Sequence, residues 1–247
     1  MDRTAIILQA RMGSRRLPGK TLMTIGTQTV LEHCITRLDA AGLPLIVATT
    51  TRTEDDAVEA EARRVGAQVF RGDTDDVLQR YIVAARTFEV TRIVRATGDN
   101  PLVDADGPQR VIELAKNVRV DHVVESGLPI GAAVEVVSLS ALERAADLIT
   151  DRYDREHVTS FIRRDQRFQS LRAMAPRHLR RPGLRLTVDT AEDLEFVRSV
   201  LESFESPEST ESPESIDERQ PTLAEVMKAA DAHLMKTIVR QRIQRGA

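Results

Sequence analysis

Short apolar runs alternate with stretches of helical periodicity along most of the chain. Residues 5–8 are wholly apolar, the pattern of a strand buried on both faces of a parallel sheet. Residues 30–41 then place Leu31, Cys34, Ile35 and Leu38 on one helical face, with Gly42 positioned to stop the helix. The pairing repeats. Strands are predicted over 45–49, 68–71 and 92–96. Helices follow from 53 to just before Gly66, over 75–88 and over 109–117. Thr53 with Asp56 reads as a capping box. Further strands are expected over 120–124, 134–137, 168–173 and 184–188, and helices over 140–150 and 154–164. A last helix, capped by Thr190 with Asp193 at its third position, runs to about 204. Repeated strand–helix units predict a single α/β domain over 1–204, with a mostly parallel central sheet and helices on both faces.

One stretch breaks the rhythm. Residues 204–221 read FESPESTESPESIDERQP and carry almost no apolar content, so 205–221 is predicted to be a flexible acidic linker. Beyond it, 222–247 holds a basic helix with Leu223, Val226, Met227, Ala230, Leu234 and Ile238 at helical spacing. That helix suits packing on its own domain, or on a second copy in a homodimer, better than anchoring in a membrane.

Composition narrows the function classes. The 247 residues are 41% hydrophobic with a net charge of −3, so the chain can bury a core and has no global bias toward nucleic acid. No apolar run reaches the roughly 20 residues of a membrane helix, and residues 1–9 lack the features of a signal peptide. A lone cysteine, Cys34, excludes an internal disulfide. A cytoplasmic enzyme or binding domain is the expectation. Only four lysines occur, and Lys20 stands alone among the first 115 residues.

In an open parallel sheet, ligands bind outside the carboxyl ends of the strands. The loop after the first strand reads QARMGSRRLPGK (9–20). Arg11, Arg15, Arg16 and Lys20 repel one another unless an anion joins them. Gly13 and Ser14 let backbone N–H groups approach phosphate oxygens. A Walker A loop is excluded, because Gly13 and Gly19 are one residue too far apart and no helix opens at Thr21. After the fourth strand, RATGDNPLVD (95–104) places Asp99 as a hard oxygen ligand suited to Mg²⁺, and Asp189 stands after the last predicted strand. The segment RGDTDDVLQRY (71–81) either recognises a base or ribose through Asp73, Asp75 and Arg80 or merely caps a helix. Glu135, Glu156 and His157 are candidates for the acceptor side.

Taken in order, QARMGSRRLPGK, RATGDNPLVD, REHVT and LTVDTAEDLE resemble the cytidylyltransferases that make CMP-activated sugars, over about residues 4–200. The branch linked to spore-coat polysaccharide biosynthesis is the nearer likeness and CMP-KDO synthetase the more distant. The resemblance implies the A-type fold of nucleotide-diphospho-sugar transferases and transfer of CMP from CTP to a sugar or sugar-acid acceptor, with Mg²⁺ as cofactor. It implies Arg11, Ser14, Arg16 and Lys20 on the triphosphate, and Asp99 and Asp189 on the metal. Arg16, Lys20 and Asp99 would form the catalytic set, and 72–80 would lie against the nucleotide. That branch carries Asp before Val-Glu, whereas Ala133 precedes Val134 and Glu135 here, a departure on the acceptor side. Two other readings stay open. Asp73-x-Asp75 and Asp104-x-Asp106 fit the metal motif of a glycosyltransferase, and a nucleotide-binding module without activity would share the loops.

Overall fold

The computed structural model describes residues 3–116, 118, 120–205 and 220–245. Strands β1 (Thr4–Gln9), β4 (Leu45–Thr50), β5 (Gln68–Gly72) and β6 (Arg92–Thr97) form the parallel half of a seven-stranded sheet. The strand order is β5-β4-β1-β6-β8-β7-β9, where β7 is His122–Ser126, β8 Glu135–Ser138 and β9 Ser170–Met174. Only β8 runs against its neighbours, so the sheet is mostly parallel, as the pattern predicts. A two-residue hairpin, β2 (Thr24–Ile25) with β3 (Gln28–Thr29), precedes the first helix. It is too short for periodicity to reveal.

Alternate residues of each strand feed two cores. Ile6, Leu8, Val94 and Val136 face the helices α1 (Val30–Asp39), α2 (Asp56–Arg64), α4 (Gly107–Lys116) and α8 (Ala191–Glu205). Ala5, Ile7, Ile93 and Val137 face α3 (Val77–Thr87) and α5 (Leu139–Leu148), with α6 (Arg152–His157) and α7 (Ser160–Arg164) beside them. Cys34 is buried in α1, and burial pushes its thiol pKa up. No helix among the described residues is long and apolar enough to cross a membrane.

The structure corrects several sequence expectations. Residues 184–188 are not a sheet strand; they make one isolated bridge, Arg185 with Ile130 of the loop between β7 and β8. The predicted helix over 154–164 is two helices, parted at Val158, where the backbone turns to φ +59°. No Thr53 cap forms, because a 3-10 turn over Thr53–Asp55 precedes α2. Thr190 and Asp193 do form the expected box: Asp193 N donates to Thr190 Oγ1 at 3.2 Å, and Thr190 N to Asp193 Oδ2 at 3.1 Å. Most of the predicted linker, 206–219, lies outside the described residues.

The last helix, α9 (Leu223–Arg245), begins as part of the main core. Leu223, Val226, Met227 and Ala230 are buried there, and Arg181 pairs with Asp231 at 2.6 Å. Leu234 and Ile238, predicted on the same face, are exposed, as is Met235. Leu223→Ala should therefore cost about 2–4 kcal/mol in urea unfolding. Leu234→Ala should stay within about 0.5 kcal/mol.

Candidate active site

Strand order reverses at β1. The chain goes outward through β4 and β5 on one side, then returns to β6 on the other. A crevice opens at such a switch point, outside the carboxyl ends of β1 and β6. The loops that follow those two strands are the basic loop and the Gly98-Asp99 turn. Gly98 is needed there: its N–H donates to Gln9 O at 2.8 Å, and a Cβ would lie 2.9 Å from that of Ala10.

The basic loop is cinched before any ligand arrives. Ser14 N and Gly19 N both donate to Met12 O, at 2.8 and 3.1 Å, and Thr21 Oγ1 donates to Arg11 O at 3.0 Å. Asp55, 1% exposed, accepts from Met12 N at 2.7 Å and from the Thr50 hydroxyl, so the end of β4 holds the loop in place. Gly19 takes a left-handed conformation at φ +73°, which starts a 3-10 turn and swings Lys20 inward.

Lys20 is the centre of the site. Its Nζ donates to Asp99 Oδ2 at 2.9 Å, Asp189 Oδ1 at 3.0 Å and Val188 O at 2.7 Å. Asp99 and Asp189 thus converge although Asp189 follows no strand. The segment before α8 supplies the reason: Val188 N–H donates to Asp99 O at 2.8 Å, and Thr187 Oγ1 to the same oxygen at 3.3 Å. Asp189 also pairs with Arg16 at 2.8 Å and Arg185 at 3.0 Å. Burial alone would raise its carboxyl pKa, but Lys20, Arg185 and Arg16 more than offset that and hold it below the usual range. No group of three potential metal-binding side chains clusters among the described residues.

Around this centre lies a cavity of about 570 Å³. The basic loop lines one wall through Arg11, Gly13, Ser14, Arg15, Arg16 and Lys20, with Asp99 and Asp189 beside it. Asp75 and Arg80 reach a second wall, and Glu156 and His157 on α6 a third. Arg11 spans the gap to Glu156 at 3.1 Å, and Tyr153 packs on the His157 ring with centroids 4.2 Å apart. Two expected contacts are absent. Asp73 turns away, its Oδ1 accepting from Asp75 N and Asp76 N at 2.8 Å each, which is capping chemistry. Glu135 lies behind the wall. It accepts from Thr159 Oγ1 at 2.7 Å, and from Arg95 and Arg163 at 3.2 Å each. Burial opposes its ionisation, yet the nearby His122 ring, Arg95 and Thr159 together hold its pKa well below the usual carboxylate range.

Sequence reading missed Arg95, Asp55, Arg52 and Arg152, all of which line the cavity. An arginine inside the apolar run 92–96 was the available signal for Arg95. Asp55 was hidden by the capping pattern around it.

Switch-point crevice, anchored basic loop and paired carboxylates together define a nucleotidyltransferase. A family model described as cytidylyltransferase matches residues 5–228, and the chain belongs to that family of CTP-dependent enzymes. It is 33% identical to the spore coat polysaccharide biosynthesis protein SpsF of Bacillus subtilis, over 81% of this chain and 87% of that protein. The solved structure of a cytidylyltransferase from Leptospira borgpetersenii superposes with a TM-score of 0.84 at 29% identity, over 95% of this chain and 96% of that one. A CMP:2-keto-3-deoxy-manno-octonic acid synthetase solved with CTP shares the fold at a TM-score of 0.61 and 17% identity, over 82% and 99% of the two chains.

Asp55→Ala strips the partly buried Met12 N–H of its acceptor. It should cost about 1–3 kcal/mol of stability and weaken CTP binding measured calorimetrically. A pH effect follows from α6. Arg164 above all, then Ser160, hold the Asp154 carboxyl pKa down from 3.8 to about 2. A depressed carboxyl stabilises the fold above its unfolded pKa, and that contribution disappears as pH falls from about 4 to about 2. Asp154→Asn should flatten acid unfolding in that window, as followed by circular dichroism.

Proposed function

We propose that this enzyme transfers CMP from CTP to a sugar-type acceptor, a sugar phosphate or sugar acid, with release of pyrophosphate. The observation that carries the reading is the convergence of Asp99 and Asp189 on Lys20, directly beside the anchored basic loop. Arg11, Arg15 and Arg16, with the loop's backbone N–H groups, would hold the triphosphate. Arg16 and Lys20 would meet the charge that builds as pyrophosphate leaves. Two hard carboxylates fit Mg²⁺, which takes few protein ligands and completes its shell with phosphate oxygens and water. When bound, the ion supplies charge neutralisation on the phosphates.

An acceptor oxygen attacks the α-phosphorus as the bond to pyrophosphate breaks. A phosphate or carboxylate oxygen needs no base. A hydroxyl must lose its proton, and in this reading His157, which lines the cavity, would take it. The glycosyltransferase reading loses support from the geometry. Asp73 is spent on capping, and Asp104 is buried against Arg110 at 2.6 Å, so neither Asp-x-Asp pair faces the cavity as a unit.

The test is a screen of sugar phosphates and sugar acids for pyrophosphate release with each nucleoside triphosphate. CTP-dependent release with one acceptor class is expected, and Lys20→Ala should lower kcat about 10²–10³-fold. Transfer from a preformed CMP- or UDP-sugar, without pyrophosphate release, would refute the reading.

A further inference from the structure

The Lys20 ammonium has nothing left to offer a phosphate in this state. An –NH₃⁺ group carries three donors, and here they meet Asp99, Asp189 and Val188 O at 2.7–3.0 Å. Lys20 is only 8% exposed, so this is a desolvated, fixed charge rather than a surface side chain sampling partners. The outer carboxylate oxygens are occupied too. Asp99 Oδ1 accepts from Thr97 Oγ1 at 2.7 Å, and Asp189 Oδ2 from Arg185 at 3.0 Å. A divalent cation therefore cannot reach both carboxylates while the ammonium stays between them, since two cations this close repel.

We infer that Lys20 is a resident stand-in for the divalent cation, and that metal and nucleotide enter the site as coupled events. The ammonium neutralises Asp99 and Asp189 while the site is free. A triphosphate offers Lys20 and Arg16 new oxygens, and their departure opens the carboxylates to the ion. The inference rests on the proposed reading of Asp99 and Asp189 as the metal pair. Coupling of this kind is reciprocal: CTP must raise metal affinity by the factor by which metal raises CTP affinity. It also makes a counterintuitive demand. Removing a positive charge from the phosphate site must improve binding of a bare metal ion.

Mn²⁺ alone is the probe, with free ion followed by electron paramagnetic resonance, in the presence and absence of CTP and without acceptor. Lys20→Met in the full chain should bind Mn²⁺ about tenfold or more tightly than the wild type. Adding Asp99→Asn should abolish that gain. The enhancement of Mn²⁺ binding by CTP should be smaller in Lys20→Met than in the wild type. Thermal unfolding with and without Mn²⁺ gives a second readout, with the larger stabilisation expected in Lys20→Met. If that variant fails to fold, Lys20→Gln is neutral, keeps a hydrogen-bonding end and should give the same ordering. Mn²⁺ affinity no higher than wild type in a cooperatively folded Lys20 variant overturns the stand-in role. Metal binding that neither CTP nor Asp99→Asn alters, in any variant, brings down the metal pair itself.

Discussion

One ammonium ties together three parts of the chain that lie far apart in sequence. A buried lysine charge is costly unless every donor finds an acceptor, and Lys20 finds all of its acceptors in the Gly98-Asp99 turn and the segment before α8. The requirement runs in both directions. Lys20 reaches that point only because Gly19 turns left-handed, and the carboxylates reach it only because Val188 and Thr187 bond the backbone of Asp99. The loop, the end of β6 and the entry to α8 are thereby fixed as one unit.

A loop dense in arginine would otherwise push itself open. Here its charges are balanced by Glu156 on Arg11 and by Asp189 on Arg16 and Lys20, while Asp55 holds the backbone of Met12. Asp55 is the least obvious of these. It anchors the backbone from which the cationic side chains project. Such anchoring lets a site meet developing charge without first reorganising.

On the other side of the crevice a second network does comparable work. β8 runs antiparallel, so its first residue, Glu135, stands at the edge where the other strands end. From there it holds Arg95, which faces the cavity, and Thr159, which follows the turn at Val158. That turn places a β-branched residue at φ +59°, with Thr159 N–H donating to His157 O at 2.6 Å. Backbone in this region is strained and persists only when its surroundings hold it. Glu135 is part of what holds it, next to His157 on the cavity wall.

The alternation of apolar strands and amphipathic helices was enough to define a mostly parallel α/β sheet, because a strand with no polar face must be covered on both sides. The loops after β1 and β6 were legible for the same reason. Their position follows from the strands, and their residues have few other uses. Arg11, Lys20 and Asp99 needed no long-range information to be singled out. The roles of Asp73, Glu135 and Asp55 did. Each is a carboxylate near a strand end, and sequence cannot tell whether such a group faces a ligand, a helix terminus or another part of the chain. Tertiary packing decided that by offering backbone N–H groups to Asp73, guanidinium groups to Glu135 and the loop itself to Asp55. Asp189 shows the limit most clearly. The sequence placed it at the end of a strand that does not form, and it reaches Asp99 because Val188 is bonded there, a contact between residues 89 positions apart that no local pattern encodes.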